Sequence, residues 1–316
     1  MIIIMGSGNI GSLIGGMLQK SGREVLMIGR SPHMNVVREQ GLQLLLNNNT
    51  RHVFPYAVNG IDSAESFLSG NERKIDYVFI TTKATDTKVA TEEILPFINP
   101  HTRIISLQNG IDTESVAKKV IGDENVVLRG VTSMGALRPE PGIVKYIGDG
   151  KTVIGYSNFE EKAHAKDIVS LLRQAKFSAA IEPNMRGAVF TKAIVNCAIN
   201  PVAALNNVKN IEIYRQEKLR KKARALAMET WDVTKALHIE PTTTDPIRLV
   251  FEVAKKTGNN INSMLQDILN KKKTEIDYLN GKMIQLGNEL NIDMTENIDA
   301  YNQILSLERS FLPSFA

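Results

Sequence analysis

Lys192, Asn196 and Asn200 recur at every fourth residue of the segment Lys192-Ala193-Ile194-Val195-Asn196-Cys197-Ala198-Ile199-Asn200-Pro201. On a helix this spacing lines an ammonium and two amides along one face of an otherwise apolar stretch. Burying three such groups is costly unless each finds a partner. The face therefore predicts either a polar ligand or a helix–helix hydrogen-bond seam. Cys197 falls on another face and reads as a packed core residue rather than a nucleophile.

Near the start of the chain, Gly6-Ser7-Gly8-Asn9-Ile10-Gly11 follows an apolar run and opens an amphipathic stretch reaching about Lys20. The first glycine permits a tight turn, the second lets the backbone approach a pyrophosphate, and the third allows close helix–strand packing. The helix N-terminus then offers N–H groups and a positive dipole end to the anion. A glycine turn alone is weak evidence, but its placement between a strand and a helix, with a second strand following, predicts dinucleotide binding by Gly6, Ser7, Gly8, Asn9, Ile10 and Gly11. The second strand ends Ile28-Gly29-Arg30-Ser31. An acid there would bind the ribose hydroxyls of NAD and repel a 2′-phosphate, whereas Arg30 offers a fixed cationic fork and Ser31 a hydroxyl. NADP is the expected cofactor; the bland reading makes Arg30 an ordinary surface arginine. Lys83, after Phe79-Ile80-Thr81-Thr82, and Asn109, in Leu107-Gln108-Asn109-Gly110, also stand at strand ends, where open α/β sheets bind ligands. Asn109 is the better ligand candidate, since Lys83 could equally be solvated.

The elements that must position these residues divide the chain in two. At 316 residues it exceeds the size at which one core stops growing. Up to about residue 150, short apolar runs alternate with helical stretches, the pattern of βαβ units. Strands are expected at Met1–Met5, Glu24–Ile28, Tyr77–Thr82, Arg103–Leu107 and Asn125–Val131. Ile143–Ile147, Thr152–Gly155 and Ser178–Ile181, with a helix near 160–175, read as antiparallel strands closing the edge of the same sheet. From Pro183 the β signal fades and 186–206, 216–238, 245–257 and 276–291 carry helical periodicity. The expected fold class is α/β: an N-terminal Rossmann-type, mostly parallel sheet with helices on both faces over 1–182, then an all-helical domain over 183–316.

Composition narrows the function. Thirty-eight basic against 34 acidic residues give a net charge of +4, too weak a footprint for nucleic acid. One cysteine excludes an intramolecular disulfide, and the five histidines lack metal-ligand spacing, so no metal is expected. The apolar Met1–Met5 has no basic leader and runs into glycine after five residues, far short of a signal or a membrane span. No membrane partner is expected, the cytoplasm is the default location, and the helical second domain is compatible with a homodimer.

The segment from Lys192 to Pro201 resembles the Lys-x-x-x-Asn-x-x-x-Asn-Pro helix of ketopantoate reductases. Two further blocks are similar to that family, Ser263-Met264-Leu265-Gln266-Asp267 and Thr274-Glu275-Ile276-Asp277-Tyr278-Leu279-Asn280-Gly281. With the glycine loop, Arg30, Lys83 and Asn109-Gly110 they lie in the expected order and span nearly the whole chain. The resemblance implies NADPH-dependent reduction of 2-dehydropantoate, a 2-oxo acid, to (R)-pantoate on the way to pantothenate and coenzyme A. It implies that Lys192 is the general acid and that Glu275 lies beside it, orienting the ammonium or touching the cofactor ribose. Asn196, Asn200 and Asn210 would hold the substrate carboxylate and hydroxyl, with Asn206 or Asn207 as alternatives to Asn210, and Ser263 would donate to the carboxylate. Asn109 would touch cofactor and substrate, and Ala136 would meet the cofactor through backbone groups. A lysine suits its role because a carbonyl gaining hydride becomes an alkoxide and needs a donor. Thr274 and Asp277 resemble a capping pair that puts Glu275 in the first turn of a helix. The alternatives are a reductase of another branched 2-oxo acid and a non-catalytic NADP-sensing protein; a sensor has no need of Lys192 and Glu275.

Overall fold

The structure, a computed structural model, describes residues 1–47, 49–69, 73–148 and 150–311. The end of the expected second domain, 312–316, lies outside the described residues. Two compact units are present. Unit 1 comprises Met1–Gln108 and Asp112–Met185, and unit 2 comprises Asn109–Ile111 and Arg186–Ala316. The division is thus not contiguous in sequence, because three residues after a strand of unit 1 are counted with unit 2.

In chain order unit 1 contains β1 (Ile2–Met5), α1 (Asn9–Lys20), β2 (Val25–Gly29), α2 (His33–Gln40), β3 (Leu42–Leu46), β4 (Asn49–Val53), β5 (Tyr56–Asn59), α3 (Gly60–Ser69) and β6 (Tyr77–Ile80). It continues with α4 (Thr87–Ile94), β7 (Arg103–Ser106), α5 (Thr113–Ile121), β8 (Val127–Thr132), β9 (Gly135–Leu137), β10 (Ile143–Gly148), β11 (Lys151–Ile154), α6 (Phe159–Gln174) and β12 (Ser178–Ile181). The main sheet has the order β12-β11-β8-β7-β6-β1-β2-β5. From β8 to β5 every neighbouring pair is parallel. Its strands are apolar on both faces because helices cover both. Ile2, Ile4, Met27, Phe79 and Ile105 point into one core with α1 and α6, while Ile3, Met5, Ile28, Ile80 and Ile104 enter a second core with α3, α4 and α5.

The edge differs from the expectation. β11 runs antiparallel to β8 and β12 parallel to β11, so these two do close the main sheet. β10 does not: it pairs with β3 and β9 in a separate four-stranded sheet, β4-β3-β10-β9, of which β3, β4 and β9 were not anticipated. This sheet packs on α1. Added methyls at Gly15 and Gly16 would lie 3.1 Å from Ile4 and 2.6 Å from Leu44, so the paired glycines let α1 sit between the two sheets.

Unit 2 is helical: α7 (Met185–Asn206), α8 (Asn210–Arg215), α9 (Glu217–Ala236), α10 (Pro246–Lys256), α11 (Ser263–Leu269), α12 (Asn280–Glu289) and α13 (Thr295–Arg309). Ile194, Ala198, Ile199 and Val202 of α7 pack with Leu219, Ala223, Leu226 and Ala227 of α9, Val250 of α10 and Ala300 of α13. Among the described residues α7 is the one helix long and apolar enough to cross a membrane, and 72% of its most apolar 18-residue window is buried inside the protein.

Candidate functional site

In unit 1 the three glycines of the β1–α1 turn meet three different surroundings. Gly6 has φ +100°, and a methyl there would lie 2.5 Å from the Thr82 nitrogen. A methyl at Gly11 would lie 2.3 Å from the Gly6 carbonyl oxygen and 2.6 Å from Thr81 Oγ1, whereas one at Gly8 would meet nothing within 4 Å. Two glycines are therefore demanded by the fold, and the middle one faces open space at the N-terminus of α1, where N–H groups lack intrahelical acceptors. A dinucleotide pyrophosphate fits this cradle. Gly11→Ala is expected to destabilise the protein by about 1–3 kcal/mol through overpacking. Gly8→Ala is expected to change stability by less than about 0.5 kcal/mol while weakening dinucleotide binding. Urea denaturation and fluorescence titration of each variant check this pair.

Arg30 follows β2 with its side chain 92% exposed, and its Nη2 lies 3.7 Å from Asp86 Oδ2. Ser31 Oγ accepts from Asn35 Nδ2 at 2.7 Å. No acid stands at the end of β2, but Asp86 reaches the same place from the 3-10 turn after β6, a counter-charge that the sequence around Arg30 does not reveal. Lys83 is half-buried and its carbonyl accepts from Gln108 Nε2 at 3.1 Å, which ties the ends of β6 and β7 together. Ala136, 7% exposed, lies in β9 opposite Tyr146 of β10.

In unit 2, Lys192 Nζ donates to Asn109 Oδ1 at 2.7 Å, and Asn109 Nδ2 donates to Glu275 Oε2 at 3.0 Å. All three are half-buried. The asparagine amide bridges the expected lysine and glutamate, its oxygen turned to the cation and its nitrogen to the anion. Glu275 is not in the first turn of a regular helix as expected. It immediately precedes the 3-10 turn Ile276–Tyr278, whose entry is held by Thr274 Oγ1 accepting from Ile276 N at 3.2 Å. Asp277 does not complete a capping pair; it accepts from Tyr301 Oη at 2.8 Å and pairs with Lys273.

The proline of the Asn-Pro pair explains a residue to which no role was assigned. Pro201 lies inside α7 and has no N–H for the Cys197 carbonyl four residues back. Asn280, fully buried at the start of α12, donates to that carbonyl at 3.1 Å and to Asn297 Oδ1 at 2.9 Å. The α7 turn beside Asn196 is thus pinned by α12, and α12 begins five residues after Glu275. The Cys197 thiol is buried, which pushes its pKa up to about 12, as befits a core residue.

The remaining asparagines separate. Asn200 is 5% exposed, and its side-chain amide has no hydrogen-bond partner among the described residues. Asn196, one turn earlier, is half-buried. Asn210 is differently employed: its Nδ2 donates to Thr257 Oγ1 at 2.8 Å, and its Oδ1 accepts from Asn262 Nδ2 at 3.3 Å. Of its two alternatives, Asn206 donates to the Val202 carbonyl at 2.8 Å, and Asn207 is exposed with φ +49°. Ser263 is exposed at the start of α11, whose N-cap is Asn262. Lys192, Asn109 and Glu275 are thus brought together, Asn196 and Asn200 extend along the same helix, and Asn210 is bound to α10 and the loop before α11.

Comparison with known proteins bears on both units. A family model described as ketopantoate reductase PanE/ApbA matches residues 2–158, and its C-terminal counterpart matches residues 184–308. A 2-dehydropantoate 2-reductase from Pyrococcus abyssi is 33% identical over 299 residues, covering 94% of each chain. The crystal structure of a PanE/ApbA family ketopantoate reductase from Ralstonia eutropha JMP134 superposes with TM-score 0.86 at 26% identity, covering 98% of both chains. D-mandelate dehydrogenase solved with NADH and anilino(oxo)acetate gives TM-score 0.89 at 27% identity, covering 98% of this chain and 99% of that one. By matches to both halves and a relative aligned over nearly its full length, this chain belongs to the ketopantoate reductase PanE/ApbA family.

Proposed function

We propose that this protein reduces 2-dehydropantoate to (R)-pantoate with NADPH, in the synthesis of pantothenate and coenzyme A. The observation that carries the reading is the Lys192–Asn109–Glu275 chain, which holds an ammonium fixed by an amide that is itself anchored to a carboxylate. The nicotinamide dinucleotide supplies the hydride when bound, and the residues of unit 1 that would hold it are Gly6 to Gly11, Arg30, Lys83 and the backbone at Ala136. Lys192 would then donate a proton to the ketone oxygen as negative charge develops on it. Asn109 Oδ1 accepts one ammonium hydrogen at 2.7 Å and so fixes the direction of the Lys192 side chain. Asn196 and Asn200 supply amides to the substrate carboxylate and hydroxyl, with Ser263 as a further donor. Asn210 contributes by holding Asn262, the cap of the helix that begins at Ser263.

The preference for NADPH rests on Arg30, exposed at the end of β2 with no acid on that strand end. Arg30→Ala is expected to weaken NADPH binding about tenfold, the lower end for a charge-assisted hydrogen bond, with little change for NADH. Equal losses for the two dinucleotides, measured by fluorescence titration, would remove Arg30 from the phosphate site.

A second reading has its own support. D-mandelate dehydrogenase is as similar in fold as the ketopantoate reductase structure, and it was solved with NADH. A reductase of another 2-oxo acid with less regard for the 2′-phosphate is therefore the alternative, and Asp86 beside Arg30 favours it. The test for both is the loss of nicotinamide absorbance with 2-dehydropantoate, compared with aryl and other branched 2-oxo acids, using NADPH and NADH in parallel. Highest kcat/KM with 2-dehydropantoate and NADPH supports the first reading; preference for another acid supports the second. No turnover with any of them overturns both.

A further inference from the structure

The glycine loop contains no basic residue between Gly6 and Gly11, yet a cation from outside it grips the loop. Arg138, just after β9, donates from Nη1 to the Ser7 carbonyl at 3.0 Å. The same oxygen accepts from Ser12 Oγ at 3.1 Å. Ser7 itself is buried, and both its N–H and its hydroxyl go to the Ile28 carbonyl, at 2.9 and 3.0 Å. The loop carbonyl that Arg138 holds therefore accepts two hydrogen bonds, and the residue that carries it is anchored to β2.

The charges around Arg138 do not balance. It is half-buried, burial pushes its pKa down, and among the described residues no carboxylate stands within ion-pair distance of it. Its titratable neighbour is His33, whose Nδ1 accepts from Gly142 N at 2.9 Å, so that Nε2 carries the proton and donates to Ser12 Oγ at 2.9 Å. Burial, and then the Arg138 charge, lower the His33 pKa to about 4, leaving it neutral near pH 7. A partly desolvated guanidinium with no counter-charge is an unfavourable arrangement unless an anion completes it. The loop that it grips is shaped to receive one.

We propose that Arg138 is an anion-binding residue of the dinucleotide site, one N–H anchored on the Ser7 carbonyl and the rest of the fork turned to the pyrophosphate. The inference rests on the dinucleotide-binding reading of the glycine loop and assigns its permanent positive charge to the four-stranded sheet. The anchor matters because a guanidinium held by one hydrogen bond loses less freedom when it binds phosphate.

The test is fluorescence titration of NADPH and of NADH into the wild type, Arg138→Met and Arg138→Lys, each also followed by thermal melting. The expected result for Arg138→Met is a Kd raised about 10- to 100-fold for both dinucleotides by similar factors, the range for a charge-assisted hydrogen bond. Arg138→Lys should recover part of the loss, since it restores the charge without the fork. Unchanged Kd values in a folded Arg138→Met protein would overturn the proposal while leaving the dinucleotide reading intact. A loss confined to NADPH would overturn it in favour of a 2′-phosphate contact. Equal weakening in the Met and Lys variants together with a fall in Tm would overturn it in favour of a purely structural role. A wild type that binds neither dinucleotide would remove the reading on which it rests.

Discussion

Lys192→Ala is expected to lower the rate of the chemical step by about two to four orders of magnitude, the range for losing a general acid, while the dinucleotide Kd is unchanged. The ammonium is held by Asn109 at 2.7 Å, and Asn109 is held in turn by Glu275 at 3.0 Å. Its direction is therefore set before substrate arrives, which is what makes such a donor effective as charge develops. Single-turnover oxidation of NADPH with 2-dehydropantoate isolates this step from product release. A rate within tenfold of the wild type would show that the proton comes from elsewhere. Glu275→Gln tests the same chain more gently: the amide can still accept from Asn109 but removes the charge, so a smaller loss is expected than for Lys192→Ala.

Asn200→Leu separates binding from folding. Asn200 as a residue is 5% exposed, and its amide has no hydrogen-bond partner among the described residues. An apolar replacement of similar volume breaks none of the hydrogen bonds among the described residues, so it should leave Tm nearly unchanged. If the amide is there for the 2-oxo acid, the same variant should raise KM about 10- to 100-fold, the range for a hydrogen bond to a charged group. Thermal melting and steady-state kinetics on one sample decide the matter. A lower Tm with unchanged KM would make Asn200 a structural residue. The opposite pattern is expected at Asn210, whose amide already serves Thr257 and Asn262 and whose loss should act on stability first.

Much of the fold was legible because its signals are local. The parallel strands β1, β2 and β6 are continuous apolar runs and β7 and β8 carry the apolar pairs Ile104-Ile105 and Val127-Leu128, as expected of a sheet covered by helices on both faces. The glycine loop was legible in the same way, since strand, turn and helix are adjacent in sequence. β4 was not, because Asn49 to His52 are exposed polar residues with no apolar alternation. β10 was recognised as a strand and given to the wrong sheet. Its partner, β3, lies about a hundred residues earlier, with Ile143 beside Gln43, and strand propensity carries no information about partners.

The amino-acid sequence by itself determined the chemistry available to this protein: a glycine cradle, an arginine in place of an acid at the end of β2, and a lysine with two asparagines along one helix. Helical periodicity is enough to align Lys192, Asn196 and Asn200, since each turn repeats the last. Only the tertiary structure decided what those groups are bound to. It set Asn109 between Lys192 and Glu275 across 83 and 166 residues of chain, answered the carbonyl orphaned by Pro201 with Asn280, turned Asn210 to Thr257 and Asn262, and brought Arg138 to the Ser7 carbonyl. These are hydrogen bonds between residues far apart in sequence, and packing alone fixes which donor reaches which acceptor.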